Sequence, residues 1–167
     1  MLFRSQVQFS LVDRRPLVEM VKFCLKHNIK LLAYGTLCGG LLSDKYLDFP
    51  EIKNINLNTV SLKKYKNIID MWGGWNLFQK LLNILKEIAD KHKVSLSNVA
   101  VRYILEQPTV AGAIVGTRLS ISENIQDNSR IFDFNLDIED YRKIDDLTGE
   151  SRDLFKLIGD CGDEYRR

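Results

Sequence analysis

A tyrosine followed by a glycine-rich loop is the feature of this sequence best suited to binding chemistry. In the segment Ile29–Leu42, IKLLAYGTLCGGLL, a run of large apolar residues ends at Tyr34 and is followed by Gly35, Gly39 and Gly40. Because glycine has no Cβ, such a loop lets the backbone approach a ligand closely and adopt unusual φ angles. The segment predicts a small-molecule or cofactor site from Tyr34 to Gly39. A plain strand followed by a turn is the alternative that these residues alone leave open.

A second candidate site follows another short apolar run. The run Val110–Val115, VAGAIV, leads directly into Gly116–Arg118, GTR, and Ser120 or Ser122 then opens a predicted helix. The unpaired N–H groups at a helix N-terminus attract phosphate, and an arginine can bind the same group through two parallel hydrogen bonds. These residues predict an anion site. An ordinary helix start is the alternative.

Both sites need strands that end at the same edge of a sheet. Alternation of apolar and polar residues predicts a strand over Gln6–Val12. Helical spacing of apolar residues predicts a helix from Leu17 to Lys26, and Asn28 is suited to a left-handed stop before the strand at Ile29. A strand, a helix and a strand of these lengths form a right-handed parallel crossover. Ligands bind at the carboxyl ends of such strands in open α/β sheets and in barrels.

The rest of the chain is predicted to be mainly helical. Thr59 or Ser61 would cap the first of these helices, and Ser95 or Ser97 would cap a later one. A further helix is predicted to begin at Asp137 with four inward-facing residues, Ile138, Tyr141, Ile144 and Leu147. The total prediction is three parallel strands and about six helices, with no structure assigned to the tail from Leu154 onward.

Three residue types that often do chemistry have simpler interpretations here. Trp72 and Trp75 flank a glycine pair and could form a substrate wall, but packing at a helix junction is the interpretation we favour. His27 and His92 each follow a lysine at the end of a helical pattern, which favours a capping role over a metal or catalytic one. No metal site is predicted. The cysteines are widely spaced and odd in number, which predicts reduced thiols at Cys24, Cys38 and Cys161.

The composition narrows the class of protein. The chain has 167 residues, of which 45% are hydrophobic, and this length suits a single domain over residues 1–167. Charged residues make up 28% and the net charge is only +2, with acids and bases interleaved, so no nucleic-acid partner is expected. No apolar run approaches the roughly 20 residues of a membrane span. We therefore expect a cytoplasmic protein with no membrane partner.

Three segments in the same order resemble segments of the aldo-keto reductases. AYGTLCGGLL resembles their AYSPLGSGLL-type segment, IVGTRLSISENIQDN resembles their IPGARNPEQVEEN-type segment, and SQVQFSLVDR resembles their NQVEYSLL-type strand. The resemblance covers nearly the whole chain and implies the sixth, seventh and eighth strands of a (β/α)8 TIM barrel. It therefore implies a partial barrel, the C-terminal half, with NADP(H) bound across the carboxyl ends of the strands.

The resemblance assigns the nicotinamide half of the cofactor to the first two strands. It implies that Gln6 hydrogen-bonds the nicotinamide carboxamide and that Tyr34 stacks on the nicotinamide ring. It also implies that the backbone around Gly35, Leu37 and Gly39 contacts the pyrophosphate.

The resemblance assigns the adenosine half to the residues after the third strand. It implies that Gly116, Thr117 and Arg118 hold the 2′-phosphate of the adenosine, and that Asp127 and Asn128 face the adenine.

This sequence departs from the family pattern in two ways. A serine commonly follows the stacking tyrosine, and Gly35 stands in its place, which removes one side-chain hydrogen bond to the phosphates. The family's aspartate, proton-donating tyrosine, lysine and histidine come from the first half of the barrel, whereas this sequence begins at the sixth strand. We therefore expect no catalytic residue in this chain.

Three hypotheses of different classes remain open. The first is that the chain is a fragment, or comes from a truncated gene model, of an NADPH-dependent oxidoreductase whose full form transfers hydride to an aldehyde or ketone carbonyl. Alternatively, it is a non-catalytic NADP(H)-binding module. A third hypothesis is an interaction protein, because three strands cannot close a barrel and leave open sheet edges. Those edges predict either a complementing half-barrel as partner or self-association.

Overall fold

A three-stranded parallel sheet forms the centre of the fold. The computed structural model describes residues 4–50, 57, 59–117 and 124–161. Within them, β1 (Arg4–Gln8), β2 (Lys30–Tyr34) and β3 (Val110–Ile114) pair in the order β1-β2-β3, with both pairs parallel. The three predicted strands and their parallel arrangement are confirmed.

The described residues form seven α-helices, against the predicted number of about six. They are α1 (Met20–Lys26), α2 (Val60–Trp72), α3 (Gly74–His92), α4 (Leu96–Leu105), α5 (Ile125–Ser129), α6 (Ile138–Gly149) and α7 (Leu154–Ile158). Four short 3-10 segments lie between them, at Arg15–Leu17, Cys38–Gly40, Asp44–Tyr46 and Arg130–Phe132. The additional helix, α7, falls in the tail to which the sequence assigned no structure. No helix in the described ranges has the length and apolar character that a membrane span requires.

The two faces of the sheet have different surroundings. Side chains alternate between the faces of a strand, and Val7, Leu31 and Ala33 are buried in the core with the helices. On the opposite face, Gln6 is exposed and Ile114 is 46% exposed. Helices on one face and an open second face make this sheet an arc of a (β/α)8 barrel.

The first strand ends earlier than its sequence pattern predicts. Alternation continues to Val12, but β1 ends at Gln8 and the chain then turns, with the Ser10 N–H donating to the Asp13 carbonyl at 3.1 Å. Phe9 and Leu11 are fully buried in this loop. The apolar residues after Gln8 are therefore buried in a loop, where the alternating pattern predicted a continued strand.

The predicted helix and its stop are confirmed with one change. A 3-10 turn at Arg15–Leu17 precedes α1, so the regular helix begins at Met20 rather than at Leu17. Asn28 has φ 52°, the left-handed conformation expected after the helix.

The helix caps and the tryptophans behave as ordinary structural residues. Of the alternative caps, Thr59 accepts from the Leu62 N–H at 3.1 Å and Ser95 accepts from the Asn98 N–H at 3.2 Å. Trp72 and Trp75 are 2% and 3% exposed, which confirms packing at the junction of α2 and α3.

A charged cluster joins the end of α3 to the start of α6. Asp137 caps α6 as predicted, and its carboxylate lies 2.5 Å from Lys91 Nζ. Asp140, only 1% exposed, accepts from Lys91 at 2.8 Å and lies 2.7 Å from His92 Nε2. The prediction that Ile138 faces inward is wrong, because this first residue of α6 is 89% exposed while Asp140 takes the buried position.

This cluster makes the stability of the chain depend on acidic pH. The hydrogen bond from Lys91 lowers the pKa of Asp137 from 3.8 to about 2. Burial alone would raise the pKa of Asp140, but hydrogen bonds from Lys91 and His92 outweigh it and the pKa is lowered. Since both folded-state values lie below the unfolded ones, their stabilisation is present above about pH 4 and is lost as pH falls toward 2.

Urea unfolding between pH 2 and pH 7 tests this dependence. We expect the double variant Asp137→Asn, Asp140→Asn to lose less stability on acidification than wild type, since asparagine keeps the capping oxygen without the charge. Glu139→Gln is the control, because it removes a carboxylate of the same turn that does not contact Lys91. Equal acid slopes for the double variant and wild type would contradict the assignment.

Candidate functional site

Gln6 and Tyr34 come together on the open face of the sheet. Tyr34 is the last residue of β2 and lies in register with Gln8 on β1 and Ile114 on β3. Gln6 lies in register with Leu32, two positions before Tyr34, so alternation places Gln6 and Tyr34 on the same face. An amide and an aromatic ring therefore share one face near the carboxyl edge of the sheet.

The loop after Tyr34 is a compact left-handed turn. Gly35 and Gly39 both have φ 68°, a conformation that side chains with a Cβ adopt at a cost. The Cys38 N–H donates to the Gly35 carbonyl at 2.9 Å, and the Leu42 N–H donates to the Leu37 carbonyl at 3.1 Å. Leu37 packs half-buried against the core, which fixes the loop to the end of β2.

Tyr65 of α2 lies against this loop. A Cβ on Gly35 would lie 2.9 Å from Tyr65 Cζ and closer still to the phenol oxygen, and a Cβ on Gly39 would lie 3.0 Å from Tyr65 Cδ2. Tyr65 lies on the buried face of α2 with Ile68 and Ile69, but nothing in the sequence links it to the loop. The end of the Tyr65 side chain fills the space that a side chain at Gly35 would need, the ring fits closely against Gly39, and the backbone conformation favours glycine at both positions.

Only part of the predicted adenosine site lies in the described residues. Gly116 and Thr117 are exposed directly after β3, and a Cβ on Gly116 would meet no atom of the described residues within 4 Å. The backbone at Gly116 is therefore open to a ligand. Arg118 and the predicted anion-binding helix start at Ser120–Glu123 lie outside the described residues.

Asp127 already has partners within the protein. Its carboxylate accepts from Ser95 Oγ at 2.7 Å and from Asn98 Nδ2 at 3.3 Å, which ties α5 to the start of α4. Asn128 is half-buried in α5, and its N–H donates to the Asn124 carbonyl at 2.7 Å. The contact of Asp127 and Asn128 with adenine remains a prediction.

A buried ion pair that the sequence did not reveal supports the same edge of the sheet. Asp13 and Arg15 are 1% and 2% exposed, and Arg15 Nε and Nη2 donate to the two Asp13 oxygens at 2.8 and 2.9 Å. Gln8 Nε2 donates to Asp13 at 2.6 Å, so the pair is joined to the end of β1. Arg15 also donates to the carbonyls of Gly159 and Asp160 at 3.3 and 3.2 Å. In the sequence this pair is visible only as an acidic and a basic residue two positions apart, and that pattern is also common on exposed surfaces.

The chemistry of the site is that of binding. In the described part of the chain, no group of three His, Cys, Asp or Glu side chains could hold a metal ion. His92 is engaged with Asp140, and His27 ends α1 at the edge of the sheet where β2 begins, opposite Tyr34. The thiol of Cys38 lies near the site, but burial raises its pKa to about 12 and it is a poor nucleophile. An amide, a ring and open backbone along one edge fit an extended cofactor with a nicotinamide and phosphates.

Comparisons with known proteins identify the family to which this chain is similar. Residues 3–148 match the model of the Aldo/keto reductase family. The chain is 32% identical over 143 residues to prostaglandin F synthase 1 of Bos taurus, covering 84% of this chain and 35% of that protein. It is 35% identical over 105 residues to flagellar radial spoke protein 5 of Chlamydomonas reinhardtii, covering 60% of this chain and 19% of that protein.

Solved structures show the same fold. A glycerol dehydrogenase from Gluconobacter oxydans superposes with a TM-score of 0.68 at 20% identity, covering 94% of this chain and 43% of that one. An aldo/keto reductase from Klebsiella pneumoniae, in complex with NADP and acetate, gives a TM-score of 0.57 at 14% identity, covering 87% of this chain and 39% of that one. The chain thus spans well under half of each of these relatives. It belongs to the aldo/keto reductase family.

Proposed function

We propose that this chain binds NADP(H) along the carboxyl edge of β1, β2 and β3. The observation that carries the proposal is the placement of Gln6 and Tyr34 on one open face, directly before the left-handed loop. Gln6 would bind the nicotinamide carboxamide and Tyr34 would stack on the ring. The backbone of Gly35, Leu37 and Gly39 would follow the pyrophosphate.

The adenosine end of the cofactor would lie beyond β3. Gly116, Thr117 and Arg118 would hold the 2′-phosphate, supported by the open backbone at Gly116. Asp127 and Asn128 would face the adenine. For Asp127, this requires it to exchange its hydrogen bonds with Ser95 and Asn98 or to share them with the ligand.

In the proposed full-length form the protein is an oxidoreductase that acts on a carbonyl or an alcohol. Bound NADP(H) supplies hydride transfer. The residues of this chain bind and orient the nicotinamide, and the acid–base residues of the family belong to the preceding strands of the barrel. We therefore propose that these 167 residues alone do not reduce carbonyl substrates. NADPH-dependent turnover by the purified chain would contradict this assignment.

Calorimetric titration with NADPH tests cofactor binding directly. We expect saturable binding by wild type, and weakening of about tenfold in Tyr34→Ala, because stacking on an aromatic ring contributes about 1–3 kcal/mol per base. Gln6→Ala should also weaken binding. Gln126→Ala, which changes an exposed glutamine of α5, is the matched control. The absence of saturable binding at millimolar NADPH would overturn the proposal.

A second function, an interaction module, is favoured by the edges of the sheet. β1 and β3 each pair with β2 alone in the described residues, so their outer edges carry unpaired backbone groups. Phe23 and Leu25 of α1 are 57% and 60% exposed. The partner would be a half-barrel that supplies further strands, or a second copy of this chain. Sedimentation of the purified chain over a range of concentrations distinguishes self-association from a stable monomer, and co-purification of a strand-rich partner would support complementation.

The domain and the compartment are part of the same proposal. One hydrophobic cluster runs from Val7 of β1 to Leu154 of α7, which supports a single domain over residues 1–167. Cys24, Cys38 and Cys161 form no disulfide with one another, which supports a reducing, cytoplasmic location.

A further inference from the structure

The phenol oxygen of Tyr65 occupies the side-chain position of residue 35. We propose that this hydroxyl donates to the cofactor pyrophosphate the hydrogen bond that Gly35 cannot provide. The inference rests on the proposed NADP(H) binding and names an additional ligand of the same site. Tyr65 lies on a different element from the loop, 30 residues further along the chain.

The end of the Tyr65 side chain occupies the space beside Gly35. A Cβ built on Gly35 would overlap Tyr65 Oη and would lie 3.2 Å from Tyr65 Cε1. The hydroxyl of a serine would stand one covalent bond beyond that Cβ, so Tyr65 places its oxygen in the region that a serine at position 35 would use. A loop with serine at this position and a loop with glycine plus Tyr65 therefore present a hydroxyl at a similar place.

The chemical character of the group suits a phosphate. A phenol hydroxyl can both donate and accept, so on binding it would turn its proton from any partner within the protein to a phosphate oxygen, which is a strong acceptor. Tyr65 is only 7% exposed, so packing against Gly35 and Gly39 fixes the ring and the direction of its oxygen. Little entropy is then lost when the hydroxyl binds a ligand.

The electrostatic surroundings of the ring also favour an anion. Lys64 Nζ lies 5.8 Å from the centre of the Tyr65 ring, which places a cation beside it. The first turn of α2 lies against the loop, since a Cβ on Gly39 would lie 3.7 Å from the Ser61 carbonyl carbon. The N-terminal end of a helix of this length carries a partial positive charge. Both features stabilise negative charge near Gly39.

The test removes one oxygen atom. In Tyr65→Phe the ring remains to pack on the glycines, so the fold is retained while the donor is lost. We expect NADPH binding, measured by calorimetry, to weaken about tenfold or more, since a hydrogen bond to a charged group contributes roughly 1.5–3 kcal/mol. Binding of 2′-AMP, which has the 2′-phosphate and no pyrophosphate, should stay unchanged.

Tyr141→Phe is the matched control. It removes the hydroxyl that donates to Glu106 at 2.6 Å, on α6 and away from the loop, and it should leave NADPH binding unchanged. Unchanged NADPH affinity in Tyr65→Phe would overturn the inference, and so would equal weakening of NADPH and 2′-AMP, which would indicate a structural effect. If wild type does not bind NADPH, the proposed function fails and the inference fails with it.

Discussion

Replacing Arg15 with methionine is expected to lower the free energy of unfolding by about 3–5 kcal/mol, because it leaves the buried Asp13 carboxylate without its cation. Arg15 is 2% exposed and makes two hydrogen bonds to Asp13. Its loss also leaves the carbonyls of Gly159 and Asp160 without this donor. Urea unfolding, followed by the fluorescence of the buried tryptophans, measures the change.

The control removes a pair with the same charges from the surface. Lys22→Met breaks the contact of Lys22 with Glu19, where the atoms are 3.8 Å apart and the side chains are 71% and 65% exposed. Exposed pairs contribute about 0–1 kcal/mol, so a small change is expected. Similar stabilities for Arg15→Met and Lys22→Met would show that the buried pair does not stabilise the fold. The double variant Asp13→Leu, Arg15→Met should recover part of the loss, since no buried charge remains.

Phe78→Ala is expected to cost about 3–5 kcal/mol, the usual cost of removing a buried aromatic side chain from a core. Phe78 is fully buried in α3, and its ring lies 5.1 Å from that of Trp75. The cavity would form beside α3, next to Trp75 at the junction of α2 and α3. The measurement is the urea midpoint of the purified variant against wild type.

The matched control is a phenylalanine at the surface. Phe132 is 74% exposed, so Phe132→Ala should change stability by no more than about 0.5 kcal/mol. Equal losses in Phe78→Ala and Phe132→Ala would contradict the described core.

Much of the fold follows from local sequence patterns. Several features depend only on residues close together in the chain and were therefore predictable. They are the apolar runs at β2 and β3, the left-handed Asn28, and the caps at Thr59, Ser95 and Asp137. The prediction of a strand through Phe9 and Leu11 was wrong because alternating residue types do not require a strand: Ser10 between them is also buried, and the segment is a loop. The prediction that Ile138 is buried was wrong because the spacing of apolar residues along a helix does not identify the residue at which the buried face begins.

The sequence predicts which residues form the candidate site, but it does not predict the contacts that they make within the protein. The parallel sheet places Gln6 and Tyr34 on one face, as the strand pattern allowed. Tyr65 against Gly35 and Arg15 against Asp160 join distant segments, and no local pattern encodes such pairs. Asp127 is predicted to contact the adenine, and nothing in the sequence indicated that its carboxylate accepts hydrogen bonds from Ser95 and Asn98.

The order of the strands has a consequence for how the chain folds. Each strand pairs with its neighbour in the chain, so the strand order allows the sheet to form by the addition of one strand at a time. The contact of Arg15 with Asp160 is different, because it joins residues 145 positions apart. Closing so long a loop is slow relative to forming local contacts. The contact of the Asp13–Arg15 pair with Gly159 and Asp160 is therefore expected to form late in folding.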